Sequence, residues 1–405
     1  LAAIPSLSRD VKMVGEFHDA RISHPERLVL ELIADAERDC PEALAVSYLA
    51  AGAQTDGAMT LTDQRTDETF SVHPKIVINA AGAWVDQVQA GLGFSGRLMG
   101  GTRGTHLVMR NPALLAELNG RMLYFETADF RVCLALPLDA DHVYVGTTDI
   151  RTDDPDDTRY TEDEVAYIFD VLRPILPDVE WRRDDIVFVM AGIRPLPFQD
   201  DKVSASGAIS RDHRIDHFEA TPDRPFETFT LVGGKWTTYR ALAEEAVDDV
   251  LHHLGQSRRT GTEDLPIGGA KDLPDTAAER QRWADDLAAE TGLAPARCAM
   301  LMSRYGSAAR AFAQADQGDN RRFDALDGYT PAEISLICQK ERVSRLQDIV
   351  LRRTLMGFEG RTSPAALAEV AATAAAALNW SLQTQQDELA DVTTTLKETH
   401  MVAGL

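Results

Sequence analysis

Apolar residues recur along this chain at two different periods, and the change of period divides it. Residues 24–39, HPERLVLELIADAERD, place Leu28, Leu32, Ile33 and Ala36 at helical spacing and predict a helix. Residues 43–51 and 58–64 read as strands, with Gly57 in the turn between them. KIVINAAGAWVDQVQAGLG, 75–93, is a short buried strand running through small residues into a helix, as in an α/β layer whose strand end closely approaches a ligand. From about residue 100 the pattern is antiparallel β: THLVMR, RMLYFE, RVCLALPL and HVYVGTTD are short runs separated by polar turns. One helix interrupts them at 161–177, opened by a Thr161/Glu164 capping box and stopped near Pro174. DDIVFVMAGIRPL, 184–196, returns to strand. ETFTLVGG then leads into LVGGKWTTYRALAEEAV, 231–247, where an apolar run ends in two glycines, a lysine and two threonines. A helix follows, with Ala241, Leu242 and Ala246 placed on one face. Beyond about 260 the patterning is helical, with Pro or Gly at the segment ends, and predicts a separate all-α domain. Its alanine-rich run near 371–377 reads as helix packing rather than an interaction helix. No internal repeat occurs.

With 405 residues, 44% of them hydrophobic, the chain has enough apolar material for a large core and two or three domains. Its charge, 41 − 64 = −23, argues against nonspecific nucleic-acid binding and against general attraction to anionic lipid. A local basic patch for a small phosphate is still allowed, because site charge and global charge are separate matters. Cys40, Cys133, Cys298 and Cys338 are widely spaced without a CxxC pair, so reduced cytosolic thiols are expected. No apolar run reaches the roughly 18 residues of a membrane span, and no signal peptide is visible. The chain opens on Leu1 rather than Met, as a fragment or processed chain would.

Four stretches set unusual chemistry beside a glycine or a strand end. GTRGTHLVM puts His106 at the start of a strand, flanked by Thr105 and Arg103, and VGTTDI ends a strand in two hydroxyls and a carboxylate. AGIRPL holds Arg194 between a glycine and a proline, and ISRDHRI carries Arg211, Asp212, His213 and Arg214. Each alone has a plain structural reading: a satisfied core histidine, a salt-bridge arginine, a solvated turn. Together with Lys235 they form a cationic set at strand ends of one β-rich region. Guanidinium groups match phosphate bidentately and lysine adds a point charge, so a small anion such as a phosphate ester is the simplest target. Histidine adds a group that exchanges a proton near neutral pH. GxSxG, HExxH and Walker patterns are absent, which leaves hydrolase and kinase readings without support. The glycines, cation and hydroxyls at 233–238 either make a tight turn or aim backbone N–H groups and a helix dipole at something electron-rich.

VINAAGAWVDQV, RGTHLVM, VYVGTTDI, AGIRPL, SRDHRI and VGGKWTTYRALAEEAVDDVL follow one another in the order and at the spacing of a known family. Over nearly its whole length, including the DIVLRRT stretch near the C-terminus, the chain resembles the FAD-dependent, quinone-linked sn-glycerol-3-phosphate dehydrogenases of the D-amino-acid-oxidase-like group. The resemblance implies an α/β FAD-binding domain at 1–98 and 225–256, an antiparallel β substrate domain at 99–224 and a helical domain at 262–400. It implies that Ala80, Gly82 and Trp84 lie along the dinucleotide part of FAD, and that Gly233, Gly234, Lys235, Trp236 and Thr237 face the flavin ring. Arg194 and Arg211 would clamp the substrate, with Lys235 in reach and His106 beside the reacting hydroxyl; His106 and Arg194 are the candidate catalytic residues, and no metal is expected.

Glycerol 3-phosphate, a quinone acceptor, peripheral contact with the inner face of the cell membrane and a cytoplasmic location are implied in the same way, and a homodimer is compatible with it. One departure stands out: the family opens on a βαβ unit with GxGxxG, and this sequence has no such motif. The stretch by itself is therefore expected to hold FAD weakly or not at all, the full protein being the enzyme. Other readings are an oxidase of the same substrate that uses oxygen, an amine or amino-acid oxidase on the same fold, and a non-catalytic remnant acting as an interaction module.

Overall fold

The computed structural model describes residues 4–55, 57–127, 131–199, 212–319 and 321–405. The chain divides into two compact units, Leu1–Ser8, Tyr48–Arg183 and Val189–Leu265 in one, and Arg9–Ser47, Asp184–Phe188 and Pro266–Leu405 in the other.

The first unit is built on three sheets. β1 (Leu49–Thr55), β2 (Ala58–Asp63) and β3 (Thr69–Val72) form an antiparallel sheet in that order. A second sheet runs β11 (Arg214–Phe218), β12 (Glu227–Val232), β4 (Ile76–Asn79), and here β12 and β4 are parallel. The third has the order β10 (Ile186–Pro197), β5 (Met99–Met109), β8 (Val143–Gly146), β7 (Val132–Pro137), β6 (Leu123–Glu126), with β9 (Ile150–Arg151) pairing β5. β5 lies inside this sheet, and Leu107, Val108 and Met109 are all fully buried. Both of its faces are covered, so strict alternation of apolar and polar residues is lost there. Helix α2 (Val85–Gly91) follows β4. Val85, Met99 and Val232 form one core cluster, and Met59, Leu92 and Phe226 a second.

Helix α4 (Glu162–Leu172) carries the expected capping box, with Thr161 Oγ1 accepting from the Glu164 N–H. It ends at Leu172, with Arg173 as its cap and Pro174, which has no N–H to continue the ladder, just beyond. Residues 43–48 are not strand; β1 begins only at Leu49. Helix α3 (Pro112–Leu118) and β3 have no counterpart in the periodic reading, since elements of seven and four residues show too little period. Asn111 caps α3, its Oδ1 accepting from the Leu114 N–H at 3.0 Å. In α5 (Tyr239–His253), Ala246 is buried but Ala241 is exposed. Five residues advance the helix far enough to set Ala241 about 140° away from Ala246.

The second unit is helical: α1 (Pro25–Asp39), α6 (Ala277–Thr291), α7 (Pro295–Tyr305), α8 (Ala309–Gly318), α9 (Pro331–Lys340), a short α10 (Leu346–Asp348) running into a π-helical turn, α11 (Pro364–Leu378) and α12 (Leu382–His400). Helix α11 buries Ala371, Ala374 and Ala375, so the alanine-rich run is a packing face. Residues 9–47, expected with the FAD-binding region, group instead with these helices. Polar contacts tie them there: Arg27 pairs with Glu341 at 2.8 Å, and Asp35 accepts from the Gly268 N–H at 2.9 Å and pairs with Lys271 at 3.0 Å.

Candidate active site

Two loops meet at one edge of the parallel pair. β4 and β12 run side by side with Asn79 opposite Thr230, so Ala80–Trp84 and Gly233–Thr237 both leave the sheet at its C-terminal edge. In open α/β sheets that edge is where ligands bind. Asn79 is buried and shapes the first loop: its Nδ2 donates to the Val85 carbonyl at 3.0 Å and its Oδ1 accepts from the Ala81 N–H at 3.2 Å. Ala80 and Trp84 are exposed, and Trp84 Nε1 donates to Asp156 at 2.9 Å. In the second loop, Gly233 and Gly234 have φ of +79° and +107°, which side chains resist. A Cβ on Gly233 would also stand 2.9 Å from the Asp212 carbonyl oxygen and 3.0 Å from Pro197 Cγ. Lys235 is extended and exposed, and Trp236–Thr238 makes a 3₁₀ turn that opens α5. Lys235, Trp236 and Thr237 thus stand in the open at a helix N-terminus whose backbone N–H groups favour an electron-rich neighbour. This glycine-lined, cation-bearing cradle fits a flavin ring.

The third sheet brings His106 and Arg194 together on neighbouring strands, β5 and β10. Gly104 makes this possible, because a Cβ there would overlap the Arg194 guanidinium. Arg194 donates from Nη2 to Thr147 Oγ1 at 2.7 Å and lies 3.4 Å from Asp149 Oδ1. His106 faces Gly146 of β8, where a Cβ would come within 2.5 Å of the imidazole, and its ring stacks on Tyr144 at 4.8 Å. Its Nδ1 is buried without a hydrogen-bond partner. Burial, with the Arg194 charge adding to it, pushes the imidazole down to about 3, so His106 is neutral at physiological pH.

Thr148 and Arg103 turn the other way. Glu164, buried at the start of α4, accepts from Thr105 Oγ1 at 2.7 Å and Thr148 Oγ1 at 2.8 Å, and pairs with Arg103 at 3.0 Å. Arg103 also donates to Asp157 at 2.6 Å. Burial raises the Glu164 carboxyl, but the two threonine hydroxyls, Arg103 and Thr161 outweigh it and hold it below the ordinary carboxylate range. Arg103 is therefore a strut beneath β5. In the GTTD stretch, Thr147 and Asp149 address Arg194 while Thr148 addresses Glu164.

Gly233 packs against Pro197, three residues past Arg194, so the glycine turn abuts the end of β10. Arg211 lies outside the described residues. His213 pairs with Glu245 at 3.0 Å and Arg214 with Asp216 at 3.0 Å, and the segment expected as a solvated turn enters strand β11 at Arg214. Gly104, Gly146 and Tyr144 escaped sequence reasoning, and Glu164 was read only as a capping residue, not as the partner of Thr105, Thr148 and Arg103. The only signal for them was two glycines in otherwise β-rich runs, a mark of close approach.

Residues 2–248 match the family described as FAD dependent oxidoreductase. The chain belongs to this family of FAD-dependent oxidoreductases. Residues 260–385 match the C-terminal domain of alpha-glycerophosphate oxidase. Among curated relatives, glycerol-3-phosphate dehydrogenase of Synechocystis sp. is 32% identical over 289 residues, 66% of this chain and 50% of that protein. The mitochondrial glycerol-3-phosphate dehydrogenase of Mus musculus is 31% identical over 348 residues, 82% of this chain and 45% of its own length. The chain thus spans about half the length of these relatives. The solved glycerol-3-phosphate dehydrogenase from Bacillus halodurans, complexed with FAD, superposes with a TM-score of 0.72 over 94% of this chain and 74% of that one, at 24% identity, and shares the fold. This oxidoreductase accordingly combines an FAD-dependent α/β domain and antiparallel β sheet with an all-α C-terminal domain, and FAD is the cofactor of its family. Among the described residues, no helix is long and apolar enough to cross a membrane.

The glycine turn provides a test of the cofactor edge. Gly233→Val forces a branched side chain onto a positive φ and against Pro197 and Asp212. Flavin retention, measured as the flavin-to-protein ratio after gel filtration, is expected to fall about tenfold, the equivalent of roughly 1.4 kcal/mol.

Proposed function

We propose that this flavoprotein oxidises sn-glycerol 3-phosphate to dihydroxyacetone phosphate and passes the electrons to quinone. The observation that carries the reading is the pairing of a pinned Arg194 with a neutral, enclosed His106 on adjacent strands. Arg194, fixed by Thr147 and Asp149, meets the anionic end of the substrate with a planar fork. His106 keeps Nδ1 enclosed and takes the proton of the C2 hydroxyl at Nε2. A bound phosphate offsets the Arg194 charge and raises the imidazole part of the way, while burial, the larger cause, still holds it down. Proton removal is thereby tied to occupancy by an anion. Bound FAD supplies the hydride acceptor. Ala80, Gly82 and Trp84 with Gly233, Gly234, Trp236 and Thr237 would hold FAD, Lys235 would serve both cofactor and substrate, and Arg211 would be a second phosphate ligand.

The names of the relatives support the substrate, and the exposed Lys235 beside the glycine turn supports it independently. With quinone as acceptor, the protein sits peripherally on the cytoplasmic face of the cell membrane, and a homodimer is compatible with this placement. The same site with oxygen as acceptor would release hydrogen peroxide.

Anaerobic addition of glycerol 3-phosphate to the full-length flavoprotein is expected to bleach its visible flavin band. A band that persists with glycerol 3-phosphate yet bleaches with an amine or amino acid would move the site to those substrates. Peroxide formed in air, in step with substrate consumed, would replace quinone by oxygen.

A further inference from the structure

At the opposite end of β12 from the glycine turn, three potential metal ligands converge that the flavin reading leaves unused. His217 comes from β11, Glu227 is the first residue of β12 and His253 is the last residue of α5. Their ligand atoms all lie within 4.8 Å of one another. His217 Nε2 is 2.6 Å from Glu227 Oε2, and His253 Nε2 is 3.7 Å from Glu227 Oε1, so both imidazoles present the same nitrogen to one carboxylate. The rings are held. His217 stacks on Phe229 at 4.5 Å, and His253 sets its edge against both Phe229 and His217. The Glu227 backbone is anchored in the parallel pair, its N–H donating to the Lys75 carbonyl.

We infer that His217, Glu227 and His253 form a binding site for a divalent transition metal of the zinc type. Two imidazoles and a carboxylate are a common ligand set for zinc, and their borderline softness selects against magnesium and calcium. Zinc–ligand bonds of about 2.0–2.2 Å place tetrahedral ligand atoms roughly 3.3 Å apart. The present spacing reaches that by rotating one carboxylate and settling the His253 ring. Both histidines are partly exposed, which leaves a path for the ion and a position for water. The last turn of α5, which ends in His252 and His253, directs its negative dipole end at the same place. Glu227 and Gly233 are six residue steps apart along an extended strand, roughly 20 Å, so the ion would not touch the reacting centre. Its effect is to clip the far end of α5 to β11 and β12, closing the unit whose other end is the glycine turn.

Titration of the flavin-loaded protein with zinc chloride in a non-chelating buffer tests this site, and it stands whether or not glycerol 3-phosphate is the substrate. One zinc per chain at micromolar or tighter affinity is expected, with a rise in Tm at saturation. His217→Ala and His253→Ala should each weaken binding at least tenfold and abolish the rise, while His252→Ala, an exposed neighbour, should leave both unchanged. Zinc binding that is absent, or equally tight in the two ligand variants and the parent, would overturn the site. Should either ligand variant fail to fold by circular dichroism, magnesium chloride on the parent decides. Magnesium binding as tight as zinc would refute an imidazole-built site, and binding at least a hundredfold weaker would support it.

Discussion

Alanine at position 194 is expected to lower kcat/KM for glycerol 3-phosphate by about two to three orders of magnitude, the range for truncating one partner of a buried, charge-assisted contact at roughly 3–4 kcal/mol. Arg194 is three-quarters enclosed and already pinned by Thr147 and Asp149, so little ordering is left for binding to cost. Arg194→Lys keeps the charge but loses the fork and should recover only part of the loss. A second readout separates electrostatics from mere packing. The Arg194 charge helps hold His106 down, after burial itself. Removing it raises the imidazole, and because the neutral form is the active one, the acid limb of the kcat/KM profile should move to higher pH. An unchanged kcat/KM would place the phosphate elsewhere, and an unchanged limb would remove His106 from the proton transfer.

The largest effect on stability is expected at Glu164. Glu164→Ala takes the acceptor from Thr105 and Thr148 and leaves Arg103, itself buried, with Asp157 as its carboxylate partner among the described residues. Breaking a buried pair in this way costs about 3–5 kcal/mol. Denaturant unfolding should show that loss near pH 7, with Glu164→Gln intermediate because the amide oxygen still accepts. The pH dependence has a defined sign. The Glu164 carboxyl lies below its ordinary 4.5 in the folded chain, so its contribution is full above 4.5 and disappears as pH falls through the lowered folded value. The gap between parent and Glu164→Ala should therefore close on acidification. His106 acts in the same direction for the opposite reason. The unfolded chain takes up its proton near 6.5 and the folded one only near 3, so stability erodes across that interval in both proteins. A gap that stays constant to pH 3 would show that Glu164 is not ionised in the folded state.

Long periodic elements were legible from the sequence alone. The helices at 25–39 and 162–172, the all-α C-terminal region and the β-rich centre stand where apolar spacing puts them, because burial of one face is written directly in the period. The short elements were not: α3 and β3 are decided by a cap and by strand pairing rather than by repetition. The paired glycines at 233–234 announced a special backbone, and the positive φ of both bears that out.

What no local pattern conveys is which polar side chains share a place. Thr147 and Thr148 are adjacent and chemically alike, yet one turns to Arg194 and the other to Glu164. Arg103 and Arg194 look equally suited to an anion. Only the partnership of β5 with α4 makes the first a buried strut, and only the bare Gly104 beneath it lets the second lie across the strand. The sequence by itself determined the classes of element and the residue types available for chemistry, because these follow from period and composition. Tertiary structure decided which partners each charge finds inside the fold, because that depends on contacts between strands up to ninety residues apart.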